Sequence, residues 1–211
     1  TDSLTTNLTA TELTLRDYNI DVNPTVGRNS FNYNLFFTNN SHNVNFTGLL
    51  LNTFFGTFTE ELAITNGAEG NSSFGYHNLV NLTTGIHNTS IGVANHTFLT
   101  TGEYNVCLGS NNFRNSTTQD NCIGIGLQNF YLSGNGNNNI GIGKHNFYDS
   151  GGSNATNIGD DNIGIGNNNC YYISGSKNIA IGTNCLRGTT SSNNPEYSIC
   201  IGTDCGKQLS G

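Results

Sequence analysis

Fourteen carboxylates, five histidines and six cysteines are the side chains through which this 211-residue chain could do acid–base, metal or redox chemistry. Hydrolysis of a glycosidic bond would need two carboxylates facing each other across ~5–9.5 Å. Glu60, Glu61, Glu69, Glu103, Asp120, Asp149, Asp160, Asp161 and Asp204 show no common face, so no such pair is expected. Asp160 and Asp161 are adjacent and read as a solvated or capping pair in a turn. His77 and His145 hold equivalent positions of a repeat, but four units separate them. At ~4.8 Å per unit that is roughly 19 Å, too far for one metal within a chain. Only around a threefold axis between chains could one His column meet itself. Gly124-Ile125-Gly126 and Gly141-Ile142-Gly143 share two glycines with dinucleotide-binding loops, but the third glycine and the following helix are missing. The expectation is a chain with no catalytic set, no cofactor and no metal site of its own.

The cysteines are Cys107, Cys122, Cys170, Cys185, Cys200 and Cys205. Their even number permits three disulfides, yet small cysteines can equally fill repeat columns as free thiols, which would suit assembly in a reducing cytoplasm. If a bridge forms, Cys185–Cys205 is the expected one, because the two occupy the same repeat position in neighbouring units. Nine Asn-x-Ser/Thr sequons, among them Asn7, Asn45, Asn81, Asn115 and Asn154, carry no glycosylation signal, since this composition gives about eight by chance.

What positions these groups is the repeat itself. Gly75, Gly92, Gly109, Gly126 and Gly143 follow one another at steps of 17 residues, and Gly166, Gly182 and Gly202 continue at steps of 23, 16 and 20. With each such glycine as position 0, position −1 is apolar in all eight units, from Phe74 through Ile91, Ile125, Ile142, Ile165 and Ile181 to Ile201. Position −3 is Val106, Ile123, Ile140, Ile163, Ile179 or Ile199 in the last six, position −4 is mostly Asn, and position +3 runs from Asn78 to Asn169 and then Cys185 and Cys205. Residues two apart share one face of a strand. The −3 and −1 side chains therefore share a face, which their apolarity assigns to the interior, and the glycines share the other. A bare glycine face marks close approach of another backbone, here expected to be a second chain. Each unit predicts two short strands, the second carrying Leu79, Phe113, Phe130 or Phe147. The Asn columns read as turn formers and amide ladders, with ions or water on an axis between chains as the sharper alternative.

Composition agrees with a thin repetitive core. Asn numbers 38, Ser and Thr together 43 and Gly 27, while Trp and Met are absent and only 10% of residues are charged. Aromatics at 10% and regularly placed Ile distinguish the chain from a disordered one. A net charge of −7 argues against a nucleic-acid partner, and no apolar run reaches the ~20 residues of a membrane span. With no initiating Met and no signal peptide, a segment of a longer chain is expected.

The pattern Gly85-Ile-His-Asn88-Thr-Ser-Ile91-Gly92-Val-Ala-Asn95 resembles the head repeats of trimeric autotransporter adhesins and the related repeats of phage and giant-virus fibres. That resemblance covers about 135 residues and implies a left-handed parallel β-roll assembled as a homotrimer, extracellular, on a virion or bacterial surface, with no shared catalytic residues. The 17-residue unit, the aromatic position after the +3 Asn and the six cysteines depart from bacterial heads and favour a viral fibre. The expected fold is thus an all-β parallel β-solenoid of about eight coils over residues 66–206. Residues 1–65 would form a β-rich cap or neck, with strand candidates at 9–22, 34–38 and 45–58 and a degenerate first coil at Asn52-Thr-Phe-Phe-Gly56; residues 207–211 would be a tail. The expected function is non-catalytic attachment to a host glycan or protein, with a passive shaft or a polysaccharide-degrading tailspike as alternatives. The two long repeat steps insert residues near Tyr148, Asp149, Arg187, Glu196 and Tyr197, which are the candidate contact residues.

Overall fold

The computed structural model describes residues 19–22, 35–38, 51–57, 67–148, 158–188 and 195–206. None of them is helical. They form a parallel β-solenoid built on one 11-stranded sheet in sequential order. Its repeat strands are β4 (Ser72–Tyr76), β5 (Thr89–Val93), β6 (Val106–Ser110), β7 (Ile123–Leu127), β8 (Ile140–Lys144), β9 (Ile163–Asn167), β10 (Ile179–Thr183) and β11 (Ile199–Thr203). Seven full turns separate these eight strands, close to the expected count. Pairing is strictly in register: Ile123 meets Ile140, Ile125 meets Ile142 and Gly126 meets Gly143, and the 23-residue step still sets Gly143 against Gly166. Extra residues are therefore accommodated outside the strand.

Before the repeat, β3 (Thr53–Thr57) pairs in parallel with β4, Gly56 against Gly75, so the Asn52–Gly56 motif does form a strand of the same stack. β2 (Leu35–Thr38) lies parallel to β3, and β1 (Asn19–Val22) antiparallel to β2.

Two expectations are overturned. First, the strand faces are inverted. In β7 and β8 only the −2 residues Gly124 and Gly141 are buried, whereas the Ile pairs on either side stay partly exposed. Ile91 is 41% exposed, Leu108 46% and Ile201 67%, while Cys107, Ala180 and Cys200 at −2 are buried. The reason is volume. The interior is filled from the opposite wall by the +4 side chains Leu79, His96, Phe113, Phe130, Phe147, Cys170 and Leu186, all buried. A methyl group on Gly124 would come within 2.7 Å of Phe113, and one on Gly141 within 2.6 Å of Phe130. Each Phe at +4 therefore demands a Gly at −2 in the next coil, and the equivalent positions match Leu79 with Ser90 and Leu186 with Cys200. The Phe rings stack along the rod, with centroids 4.2 and 4.6 Å apart and planes within 7° and 5°.

Second, the wall carrying Phe113 and Phe130 is a run of turns, with no second strand. All seven +4 residues have φ between 48° and 57°, in the left-handed region. Their N–H groups nonetheless donate to the following coil, Phe113 to the Asn129 carbonyl at 3.0 Å and Phe130 to that of Asn146 at 2.9 Å. Backbone pairing thus continues between coils without an extended strand.

Gly126 has φ 118° and Gly143 119°, and a side chain on either would overlap the carbonyl oxygen of the next repeat glycine. Gly92, Gly166 and Gly182 share that geometry, and Gly202 the positive φ. The close approach expected of these glycines is real, but the approaching backbone is the chain's own next coil.

Both Asn columns are buried. Asn129 shows how one amide joins three coils. Its Nδ2 donates to Ile125 O, to Gly143 O and to Asn112 Oδ1, at 3.0 to 3.1 Å, and its Oδ1 accepts from Asn146 N and Nδ2. At −4, Asn71, Asn88 and Asn105 form the same kind of ladder through Oδ1. The structural reading of these columns holds. Three sequon asparagines, Asn71, Asn88 and Asn95, are consumed by them, with no exposed surface.

Cysteines enter the ladders as substitutes. At −4, Cys122 Sγ donates to Gly136 O at 3.2 Å and accepts from Asn139 N at 3.4 Å. At +3, Cys185 Sγ donates to Gly202 O at 3.0 Å, where an asparagine would use Nδ2. The expected Cys185–Cys205 bridge is not formed. Cys205 closes on Cys200 within its own coil, with the Cα atoms 5.6 Å apart, and Cys185 remains a free thiol.

Candidate functional site

The turn wall carries the most differentiated surface. Position +5 immediately follows the buried +4 residue; Val80 and Thr97 are buried there, and from Arg114 onward the side chains are partly exposed. Along the rod this column reads Arg114, Tyr131, Tyr148, Tyr171 and Arg187. Stacked coils place the rings directly above one another: Tyr131 and Tyr148 lie 5.2 Å apart with planes within 8°, and Tyr148 and Tyr171 5.7 Å apart within 14°. A guanidinium closes each end. Arg114 sits 5.4 Å from the Tyr131 ring centre and donates from Nη1 to the Tyr131 hydroxyl, and Arg187 sits 5.0 Å above Tyr171. All five are partly exposed. Beside Arg114, Phe98, Asn115 and Thr117 line an open depression of about 310 Å³. The Phe98 N–H donates to the Arg114 carbonyl at 3.2 Å, and 46% of Phe98 is exposed.

Of the expected contact residues, Tyr148 and Arg187 meet in this ladder through Tyr171. Asp149 lies outside the described residues. Glu196 and Tyr197 stand at the other corner, before the strand, where Lys177 Nζ donates to the Tyr197 hydroxyl at 3.0 Å and lies 4.9 Å from its ring centre. The hydrogen bond to Tyr197 raises the Lys177 pKa. Sequence reasoning missed Arg114, Tyr131, Tyr171 and Phe98. The signal was present: the first, second and last ladder intervals equal the glycine steps of 17, 17 and 16, and the 23-residue step recurs between Tyr148 and Tyr171.

The carboxylates do share a column, contrary to expectation. Glu69, Glu103, Asp120, Asp160 and Glu196 all fall at position −6. They stand in single file along the rod, and the two aspartates cap backbone N–H groups of the preceding coil: Asp120 Oδ1 accepts from Glu103 N at 2.8 Å and Asp160 Oδ1 from Asn137 N at 2.7 Å. Glycoside hydrolysis needs carboxylates flanking a bond from two sides, and this column offers one side. Among the described residues no group of three or more His, Cys, Asp or Glu converges as a metal site.

One Cys–His contact has the composition of a nucleophile and its base. Cys107 Sγ lies 3.4 Å from His96 Nε2. Both are fully buried. Burial lowers the His96 pKa to about 3 and, with Cys122 nearby, raises that of Cys107 well above its ordinary value. The pair is thus held as neutral imidazole and neutral thiol, with the ring stacked 5.3 Å from Phe113 as part of the interior column. A reactive cysteine needs a lowered pKa and access, and this one has neither.

Comparison with protein-family models, curated proteins and solved structures finds no match to this chain.

Proposed function

We propose that this chain is a homotrimeric fibre head, carried outside the cell on a virion or microbial surface, that attaches to a host glycan or protein receptor without catalysis. The observation that carries the reading is the outer face of the sheet. Apolar side chains form two outward columns, at −1 over β4–β11 and at −3 over β6–β11, flanked at +1 by Tyr76, Val93 and Leu127, each about 40–45% exposed. Five-residue strands at ~3.3 Å per residue and seven gaps of ~4.8 Å give this face a plan area of roughly 550 Å². Contiguous apolar surface on that scale marks an association site. Its natural complement is a second copy, because only another solenoid repeats apolar side chains with the same spacing along the same length. Parallel copies meeting through unlike edges of that face close a ring, and the trimer is the smallest such ring beyond a pair.

The resemblance to trimeric adhesin and viral fibre heads supports the same assembly, though the face expected at the axis changes from glycine to isoleucine. Residues 1–65 would serve as the cap, with β1 turning antiparallel at the sheet edge. A net charge of −7 keeps nucleic acid out of the partner set. Light scattering of the purified chain should give three times the chain mass, and the chain should bind host cells in a pull-down. A monomer at micromolar concentration would overturn the assembly, and absence of cell binding the attachment role.

A further inference from the structure

We infer that the Arg114–Tyr131–Tyr148–Tyr171–Arg187 ladder, with the Phe98 depression at its head, is a binding track for an acidic oligosaccharide; this deepens and rests on the attachment reading above. Three observations converge. Charge is segregated among the described repeat residues: the acids at −6 and −5 stand before the strand and Asp204 stands at +2, whereas the described charged side chains in the +5 column are Arg114 and Arg187. No described acid therefore stands in the +5 column itself. Neither arginine has a carboxylate partner among the described residues. Arg187 makes only its ring contact and Arg114 that contact plus one hydrogen bond to Tyr131, so most guanidinium N–H donors are available to a carboxylate in the two-pronged geometry that favours arginine.

The shape fits a linear ligand. Four coil spacings separate the two arginines, ~19 Å at ~4.8 Å each, which is the reach of a short oligosaccharide laid along the rod. Tyr131, Tyr148 and Tyr171 cover one another's faces, so they form a continuous ridge along the rod between the two arginines. Phe98 instead leaves its ring open and stacks on no other ring among the described residues. An exposed ring beside Asn115 and Thr117, in the coil next to Arg114, suits a pyranose, which has an apolar C–H face and polar rims. Among the described residues of this wall an acidic peptide would find no edge strand or apolar groove to hold its backbone, so the carbohydrate is favoured.

The test is calorimetric titration of the whole chain with a hexasaccharide of alternating uronic acid and N-acetylhexosamine and with its carboxyl-reduced neutral counterpart. The acidic form should bind at least tenfold more tightly, and more weakly as salt rises. The Arg114→Gln/Arg187→Gln double variant should lose at least tenfold while keeping its mass and melting temperature, and the Arg→Lys pair should recover part of that loss. Equal binding of the two sugars, no binding of either, or an unaffected double variant would overturn the track. Cell binding separates this from the parent reading. If the wild type attaches to cells and the double variant attaches equally, the track falls and attachment stands. If the wild type binds the hexasaccharide yet not cells, attachment falls and the track stands.

Discussion

On the outer face of β7–β10 the Ile pairs stay partly exposed, while on the inner face of the same strands Gly124, Gly141 and Gly164 are buried. In a globular sheet the large apolar side chains go inside and small or polar ones outside. Here the room facing the −2 position of a 17-residue coil is taken by one large side chain from the opposite wall. The comparison teaches that interior and apolar are separate properties in a thin solenoid. The interior is specified by volume matching and amide ladders, and the apolar columns are left over for a partner.

The largest expected break of that comparison is on the inner side. Gly126→Ala would face both a φ of 118° and the Gly143 carbonyl, with no side chain able to yield, and should cost at least ~5 kcal/mol, read as loss of the cooperative denaturation transition. Acid comes next. His96 is held neutral down to a pKa of about 3, against 6.5 when unfolded. Between those values the unfolded chain binds the extra proton, so stability falls as pH falls, by roughly 4 kcal/mol in all near pH 3. His96→Leu recreates the Leu186/Cys200 pairing against Cys107 and should flatten this acid limb in urea titrations; an unchanged limb would place the proton elsewhere. Gly141→Ala should cost about 2–3 kcal/mol from the clash with Phe130, and Phe130→Leu should return most of it in a double-mutant cycle. The smallest effect on folding is expected outside. Ile125→Lys with Ile142→Lys should change the stability of an isolated chain by under ~0.5 kcal/mol yet abolish association by sedimentation. Unfolding of the isolated double variant would return the isoleucines to the core.

Much of the stack was legible before any coordinates. The register, the repeat strands from β4 to β11, the added strand at Thr53–Thr57 and the role of the Asn columns follow from period and residue type. The face assignment did not, because parity says which residues share a face and cannot say which face is enclosed. Apolarity alone sends Ile inward. The deciding clue was the alternation of Gly124 with Phe113 and Ser90 with Leu79, a size correlation across coils. The turn wall failed for a related reason: Phe113 and Phe130 have strand-like composition, but φ values of 50° and 57° are imposed by the corner and by the coil above. The acid column at −6 was hidden by Ile86, Asn137 and Ser176, which interrupt it. Tyr148 and Arg187 were found through their loops, while their ladder partners became visible only when stacked.

The strict in-register spacing also fixes how the molecule would answer a pull. Each coil holds to its neighbours through pairs about 17 residues apart, so tension along the rod would strip coils singly, like tape from a roll. One 17-residue coil would release roughly 55 Å of contour and the 23-residue coil roughly 75 Å, at ~3.4 Å per residue less one strand spacing. A tether built this way would lengthen in measured increments under load, and it would dissipate work at every increment before its grip was lost.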